Sequence, residues 1–299
     1  GMRTSAELRE IVRRKEIDLV HANSLVAALI ATSRRLGVPV VWHARDLRAP
    51  ATPVKQVLAK VSAVIAISRA VEQWVRDLAP TGHVHLIYNA LGPDDRHVTH
   101  SRAKVREGWE MAPHTPLLGN VGQLVPWKRQ DMFLKTGAQV LQQVPEARMV
   151  IIGSDLFNEH RDYVQGLHDL ASELGIADHV LWIDHADDMP SALSALDVLA
   201  HTADREPLGR VIMEAMAVGL PTVAFDEAGP AELIADGEMG LLVPPDDISA
   251  LAAAAVRLLS DPALAVHLHD NALTHSARFD PALHAAAVLE VYREALAKR

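Results

Sequence analysis

The amino-acid sequence predicts an α/β protein with two parallel sheets, each in a domain of its own. Short β-branched runs alternate with longer amphipathic segments along the whole chain. Near-continuous apolar runs of this kind are typical of parallel strands that helices cover on both faces. A polar stretch containing Gly-Pro, residues 89–102, interrupts the alternation. Its composition is typical of a linker, so we expect one domain on each side of it.

Ten segments are predicted strands, because each is short, apolar and followed by a longer helical pattern. Gly37 and Pro39 give the helical segment before the second strand a stop signal, and from residue 247 onward the pattern is helical. We expect domains over residues 1–98 and 99–279, followed by a terminal helix over 280–299. The predicted strands cover residues 17–22, 38–44, 63–68, 83–88, 116–122, 147–153, 179–184, 196–202, 221–225 and 240–244.

Composition narrows the class of protein. The chain has 299 residues, 49% of them hydrophobic, and a formal net charge of −9. A general nucleic-acid binder needs a basic surface, so we expect no nucleic-acid partner. The absence of cysteine excludes disulfides, thiolate metal ligands and a cysteine nucleophile, and it fits a cytoplasmic protein. No apolar run approaches the ~20 residues of a membrane-spanning helix, no signal peptide is visible, and Gly1 before Met2 resembles a tag remnant.

The stretch EPLGRVIMEAMAVGLP, residues 206–221, follows the eighth predicted strand. Its proline and first glycine allow a sharp turn into a helix predicted over residues 209–218. Ligands of open α/β sheets bind beyond the carboxyl ends of the strands. The first amides of this helix, near Leu208, Gly209 and Arg210, have no partner inside the helix, so they suit a phosphate.

Two carboxylates in the same stretch suit the rest of a nucleotide sugar. Glu214 lies one turn below Arg210 on the same helix face, where it can accept hydrogen bonds from a ribose diol. Glu206, in the loop, offers an acceptor to a sugar hydroxyl. The spacing alone leaves another interpretation open, since Glu-Pro is a common helix start and Glu214 can be a structural ion-pair partner of Arg210.

The surrounding motifs resemble those of the retaining family 4 glycosyltransferases. The long run EPLG…PPDD resembles the donor-binding region of that family, and GQLVPWKRQDMFL resembles its Gly-Arg-Leu…Lys-Gly segment. Three shorter segments, DLVHANS, VWHARDL and LIYNA, resemble parts of its first domain. The resemblance extends from residue 17 to residue 299 and implies the GT-B architecture, in which two Rossmann-like domains face one another across a cleft. The matching segments are residues 206–247, 122–134, 18–24, 41–47 and 86–90.

The resemblance also implies roles for individual residues. Glu206 would lie by the donor sugar, Glu214 would bind the ribose, and Lys128 would neutralise the donor diphosphate. His43 would reach the donor sugar from the first domain. The implied catalytic residues are His43, Lys128 and Glu206, and the implied donor-binding residues are Gln123, Lys128, Glu206, Leu208, Gly209, Arg210 and Glu214.

Three features depart from the family pattern. Gln123 replaces the usual arginine, which removes one cation from the phosphate clamp, and Arg205 or Arg210 would partly restore it. Arg129 replaces the usual glycine after the lysine. The chain opens on a segment that resembles the helix before the family's fourth strand, so we expect the first domain to be incomplete. A shortened parallel sheet leaves an unpaired edge, so we also expect a homo-oligomer formed through this domain.

The predicted activity is the retaining transfer of a sugar from a nucleotide-diphosphate sugar to a sugar, lipid or other glycan acceptor, with peripheral membrane contact left open. The resemblance implies that the transfer needs no metal and no cofactor, and the sequence has no Asp-x-Asp, Gly-x-Gly or Walker motif. One alternative is a truncated nucleotide-sugar-binding protein without transferase activity. Another is a nucleotide-sugar epimerase on the same fold, against which the long Glu-x7-Glu block argues.

Overall fold

The computed structural model describes residues 2–47, 49–79 and 83–298. These residues fall into two compact units. The first unit consists of the described residues up to Ala90 together with those from Phe279 onward, and the second is Leu91–Arg278. The chain therefore leaves the first unit once, builds the whole of the second, and returns.

The first unit contains a four-stranded parallel sheet whose strands lie side by side in chain order. Two of its helices begin at serine N-caps, where the Ser24 and Ser68 hydroxyls accept hydrogen bonds from the amides of Ala27 and Val71. Each cap satisfies a donor that the first helical turn leaves open. The elements are α1 (Met2–Arg14), β1 (Val20–Ala22), α2 (Leu25–Ser33), β2 (Val40–Ala44), α3 (Ala51–Leu58), β3 (Ala63–Ala66), α4 (Arg69–Leu78) and β4 (Val84–Leu86).

The second unit contains a six-stranded parallel sheet. Its strands are β5 (Leu117–Val121), β6 (Arg148–Ile152), β7 (Val180–Ile183), β8 (Val198–His201), β9 (Thr222–Phe225) and β10 (Leu241–Val243). They pair in the order β10-β9-β8-β5-β6-β7. The chain thus builds β5 to β7 in one direction and then crosses back to place β8 on the other side of β5. A reversal of this kind opens a crevice beyond the carboxyl ends of the two central strands, as in Rossmann folds.

Helices pack on both faces of the second sheet. Neighbouring residues of β5 show this, because Leu117 and Leu118 are fully buried in two different apolar clusters. A strand buried on both faces explains why these runs are almost continuously apolar in the sequence. The helices are α5 (Arg102–Gly108), α6 (Gln130–Leu141), α7 (Arg161–Glu173), α8 (Met189–Ala195), α9 (Arg210–Ala217), α10 (Ala228–Leu233), α11 (Ile248–Ser260) and α12 (Pro262–Ser276).

The last helix, α13 (Pro281–Ala297), belongs to the first unit. Its Val288 and Val291 pack in one apolar cluster with Val41 of β2 and Ile65 of β3. The helix therefore covers one face of the first sheet. Among the described residues, no single helix is long and apolar enough to span a membrane, and the consecutive helices over Ile248–Ser260 and Pro262–Ala297 reach that composition only when they are counted together.

The predicted α/β class and the two parallel sheets are confirmed, and each of the ten predicted strands contains an observed one. The division between the units lies at Ala90 rather than at residue 98. Leu91 is fully buried, and Asp95 forms an ion pair with Arg210 at 2.6 Å. The polar stretch that was predicted to be a linker therefore begins the second unit, held there by an apolar anchor and a charge pair that composition does not reveal.

Candidate functional site

The crevice of the second unit is framed by two loops that follow the adjacent strands β5 and β6. Gly122 and Gly153 lie in these loops with φ of +154° and +149°, values that favour glycine. A Cβ atom on Gly153 would lie 1.9 Å from the carbonyl oxygen of Gly122. The two loops therefore approach so closely that a side chain at residue 153 cannot be accommodated without moving backbone.

Lys128 lies at the end of a short 3-10 turn, Pro126–Lys128, beyond the carboxyl end of β5. The Arg129 that follows has a left-handed backbone, with φ of 55°, and it is the N-cap of α6. This conformation explains the glycine expected at that position, because a left-handed backbone costs a non-glycine residue free energy. The Arg129 guanidinium forms an ion pair with Asp246 at 3.0 Å, which helps to hold the turn.

The structure brings Lys128 and Glu206 together at the crevice. The Lys128 ammonium donates to the Glu206 carboxylate at 2.6 Å, and the two side chains are only 17% and 9% exposed. The ammonium also lies 4.3 Å from the centroid of the Trp127 ring. Burial raises the pKa of Glu206, but the His201 side chain and the Lys128 charge outweigh it and bring the pKa to about 2. Glu206 is therefore an anion at physiological pH.

His201, the last residue of β8, lies beside this pair and was not among the predicted site residues. It is 4% exposed, and its Nε2 is 3.6 Å from the same Glu206 oxygen that Lys128 contacts. Burial lowers the pKa of His201, so its ring is neutral near pH 7, although Glu206 opposes the shift. The available signal was a histidine ending an apolar strand directly before the Glu206 loop.

The predicted phosphate-binding helix is α9, which begins at Arg210, with Gly209 as its N-cap at a left-handed φ of 93°. Leu208 is 2% exposed, so its side chain packs in the interior and does not offer a contact to a ligand. Gly229 packs against this turn, since a Cβ there would lie 2.4 Å from the Leu208 backbone. The helix start is therefore held in place on two sides, and its open amides lie in the same loop as Glu206.

Glu214 and Arg210 form the ion pair that the alternative interpretation expected. The Arg210 Nε donates to Glu214 at 2.7 Å and its Nη2 donates to Asp95 at 2.6 Å. Burial raises the pKa of Glu214, against the effect of the Arg210 charge. Because two carboxylates hold its guanidinium, Arg210 does not supply the cation that is missing at Gln123. The backbone carbonyl of Gln123 accepts a hydrogen bond from Gln130 at 2.9 Å.

His43, the predicted site residue of the first unit, lies inside β2 and is 1% exposed. Its Nδ1 is 3.2 Å from both His21 Nε2 and Arg45 Nη2. Burial, reinforced by the Arg45 charge and by His21, lowers the pKa of His43 to about 3. His43 is thus a neutral histidine beneath Arg45, which is the first residue beyond the strand.

Arg45 is a second group that sequence reasoning missed. Its guanidinium donates to the side-chain oxygens of Asn23 at 2.9 Å and Asn89 at 2.8 Å, and these residues follow β1 and β4. Side chains from three strand ends therefore converge at one edge of the first sheet. A cavity of about 570 Å³ lies there, lined in part by His21, His43 and Arg45. In both units, then, the polar groups gather where α/β sheets bind ligands.

No group of three or more His, Asp or Glu side chains within the described ranges is arranged to hold a metal ion. The predicted site residues of the second unit are brought together within one crevice, whereas His43 lies in the first unit.

A parallel sheet in each of two units, the second with a switch point in its strand order, matches the GT-B fold of solved glycosyltransferase structures. The chain belongs to the glycosyltransferases of group 1: the family described as "Glycosyl transferases group 1" matches residues 101–275, and "Glycosyltransferase Family 4" matches residues 1–95. A solved structure of Anabaena Alr3699/HepE in complex with UDP and glucose has a TM-score of 0.88 and 27% identity, over 97% of this chain and 81% of that one.

Curated relatives show the same likeness. The chain is 32% identical over 171 residues to a GDP-mannose-dependent alpha-(1-6)-phosphatidylinositol monomannoside mannosyltransferase of Mycolicibacterium smegmatis, covering 54% of this chain and 43% of that protein. It is 32% identical over 208 residues to D-inositol 3-phosphate glycosyltransferase 2 of Catenulispora acidiphila, covering 68% and 48%. The chain thus spans less than half the length of these relatives.

Proposed function

We propose that this chain transfers a sugar from a nucleotide-diphosphate sugar to an acceptor, with retention of configuration. The observation that carries the proposal is the buried Lys128–Glu206 pair beside the open amides of α9, at the switch point of the second sheet. A cation and helix amides together suit a diphosphate, and an anion held in place beside them suits sugar hydroxyls.

In this mechanism the leaving diphosphate is stabilised where its charge develops. Lys128 and the amides near Gly209 face the phosphates, and such preorganised donors act most strongly when they are shielded from water. The bond between the anomeric carbon and the phosphate oxygen breaks, and a bond to the acceptor oxygen forms. As the family resemblance implies, the leaving phosphate accepts the acceptor's proton, so the step needs no metal.

Glu206 positions the sugar rather than donating a proton. With a pKa of about 2 it stays ionised, so it accepts hydrogen bonds from sugar hydroxyls. Glu214 is proposed to accept hydrogen bonds from the ribose diol while Arg210 holds its carboxylate. Both carboxylates thus act as fixed acceptors on one side of the diphosphate.

The first unit is proposed to supply the acceptor side, with Arg45 at the edge of its sheet. That His43 reaches the donor sugar, as the family resemblance implies, stays a prediction. One relative is named for GDP-mannose and phosphatidylinositol monomannoside, another is named for D-inositol 3-phosphate, and the similar solved structure contains UDP and glucose. For this chain the acceptor class is a sugar, lipid or other glycan. Association with a second copy through the first unit, peripheral membrane contact and a cytoplasmic location stay predictions.

Binding and transfer are tested separately. Binding is measured by thermal shift with UDP, GDP and ADP, where a ligand at a hundred times its dissociation constant raises the free energy of unfolding by about 2.7 kcal/mol. Transfer is measured by NMR with the sugar nucleotide of the stabilising base and with inositol phosphates and simple glycosides as acceptors. We expect a product with the donor's anomeric configuration. An inverted product would exclude retention, and binding without any transfer would favour the nucleotide-sugar-binding alternative.

A further inference from the structure

We infer that His201 is a positioning residue, which takes over the carboxylate of Glu206 when a nucleoside diphosphate draws Lys128 away from it. This role rests on the proposed function, because it needs a diphosphate at the crevice of the second unit. It concerns a residue to which the family motifs quoted above give no role.

The imidazole of His201 is buried without a hydrogen bond. It is 4% exposed, and among the described residues neither of its ring nitrogens has a hydrogen-bond partner. Its Nε2 is 3.6 Å from Oε2 of Glu206, just beyond hydrogen-bond length. A buried polar group in this state costs free energy and calls for an explanation. A shift of a few tenths of an ångström would give the ring a partner.

Lys128 and His201 compete for one oxygen atom. The Lys128 ammonium already donates to Oε2 of Glu206 at 2.6 Å. While it does so, the Lys128–Glu206 pair has no net charge and His201 stays outside hydrogen-bond range. Without a ligand this ion pair is therefore electrically neutral. An incoming diphosphate gains little electrostatic attraction until the ammonium turns towards it.

His201 can replace the ammonium. A buried carboxylate that loses its cation is strongly destabilising, so Lys128 moves to a phosphate only if Glu206 gains another donor. Burial is the main cause that lowers the pKa of His201, and the Lys128 charge lowers it further, whereas Glu206 raises it. When the ammonium withdraws, it no longer lowers the pKa of His201, whereas the Glu206 carboxylate still raises that pKa. The ring then moves within hydrogen-bond range of Glu206, and the negative charge of the diphosphate joins that of Glu206 in favouring a protonated ring.

This exchange adds positive charge to the crevice, up to one unit, when the diphosphate binds. The extra charge compensates for Gln123, which stands where the family usually has an arginine. Arg210 does not fill that place, because Asp95 and Glu214 hold its guanidinium. Donor binding is therefore coupled to the uptake of a proton by His201.

Calorimetric titration with UDP, and with GDP in parallel, tests this coupling on the full chain. Each titration is run at pH 7 in two buffers that differ in ionisation enthalpy, which gives the number of protons bound per nucleotide. The variants are His201→Gln, which keeps a donor but cannot become charged, and His201→Leu. The matched control is His179→Gln, a histidine of the same unit whose ring contacts the carbonyl of Ala147 at the opposite end of the sheet.

The parent protein and His179→Gln should take up a fraction of a proton, and His201→Gln none. Lys128→Met should also lose the uptake although it keeps His201, because the ring is then already paired with Glu206 in the free protein. We expect His201→Leu to bind UDP about ten-fold more weakly, and His201→Gln about three-fold, with uridine binding unchanged in both.

Three results would overturn this role. They are uptake in His201→Gln equal to that of the parent, no uptake by the parent, or unchanged UDP affinity in both His201 variants. If neither nucleotide binds the parent, the proposed function fails and this role fails with it. If a nucleotide binds without proton uptake, only the role of His201 fails. The glutamine variant keeps the test valid should the leucine variant not fold.

Discussion

The two parallel sheets of this chain are built from the same strand–helix units but differ in strand order. The first sheet runs β1-β2-β3-β4, in chain order, whereas the second reverses direction between β5 and β8. At that reversal lie Lys128, Glu206 and His201. In the first sheet, by contrast, the polar groups are spread over three strand ends and contact one another through Asn23, Arg45 and His43. The position of the charged crevice thus follows from the strand order of the second sheet.

The sheets also differ in how they tolerate buried polar groups. The crevice of the second unit holds an ion pair, Lys128 with Glu206, and its two loops meet at glycines. The first unit keeps a neutral histidine, His43, next to the guanidinium of Arg45. Packing and anions should therefore affect the second unit, whereas acid should act on the first unit through His43 and on the second through His201. The four predictions that follow test this difference in order of expected size.

Gly153→Ala should destabilise the second unit most. The added methyl group would meet the Gly122 carbonyl at 1.9 Å, and its φ of +149° is unfavourable for alanine, so we expect a loss of about 3 kcal/mol or more. Gly166→Ala, inside α7 with open space around it, is the matched control and should stabilise by about 0.5–1 kcal/mol. Urea unfolding of both variants checks this; equal stabilities would show that the two loops are not in close contact.

Lys128→Ala should weaken nucleoside-diphosphate binding at least ten-fold, because a charge-assisted hydrogen bond contributes about 1.5–3 kcal/mol. Binding of the nucleoside alone should change little, since Lys128 faces the phosphates. The control is Lys135→Ala, whose lysine forms a half-exposed pair with Asp131 in the same unit and should leave both affinities unchanged. Calorimetry that gives equal diphosphate affinities for parent and Lys128→Ala would refute the donor clamp.

Acid should destabilise the first unit through His43. Because the pKa of the folded form is lowered to about 3, unfolding takes up a proton below about pH 6.5, so the stability present above that pH is lost as pH falls. The free energy of unfolding should fall by up to about 1.4 kcal/mol per pH unit for this group. His43→Phe should flatten that slope in urea titrations between pH 7.5 and 5.5. His185→Gln, at an exposed histidine, should leave it unchanged.

Glu214→Gln should have the smallest effect, a roughly five-fold loss of UDP affinity, or about 1 kcal/mol. The informative quantity is the preference for UDP over its 2′-deoxy analogue, which a carboxylate on the ribose diol would create and the amide would reduce. If the variant is less stable but keeps that preference, Glu214 serves only as the partner of Arg210. The outcome decides between the two interpretations that spacing left open.

Strand positions and the loop and helix from Glu206 to Glu214 follow from local sequence, because apolar runs fix the strands and these residues lie near one another in the chain. Lys128 and Glu206 are 78 residues apart, and their contact at 2.6 Å was not predicted, because the family motifs implied only that each residue belongs to the donor site. His201 and Arg45 were missed because burial and tertiary contact give them their importance, and neither leaves a periodic pattern. The boundary at Ala90 lies within the predicted linker but before residue 98. The rest of that stretch belongs to the second unit, where the Asp95–Arg210 pair joins residues that are 115 apart.

The return of the chain to its first unit sets an order for folding during synthesis. All six strands of the second unit lie within one continuous segment, Leu91–Arg278, so that unit can close as soon as the segment has left the ribosome. The first sheet waits longer, because Val41 and Ile65 are covered by α13, which is translated only after the whole of the second unit. Because the strands of the first sheet are synthesised long before α13, their apolar faces stay exposed to chaperones or to other nascent chains during that time. Slowing translation ahead of α13 should therefore increase the aggregation of this protein.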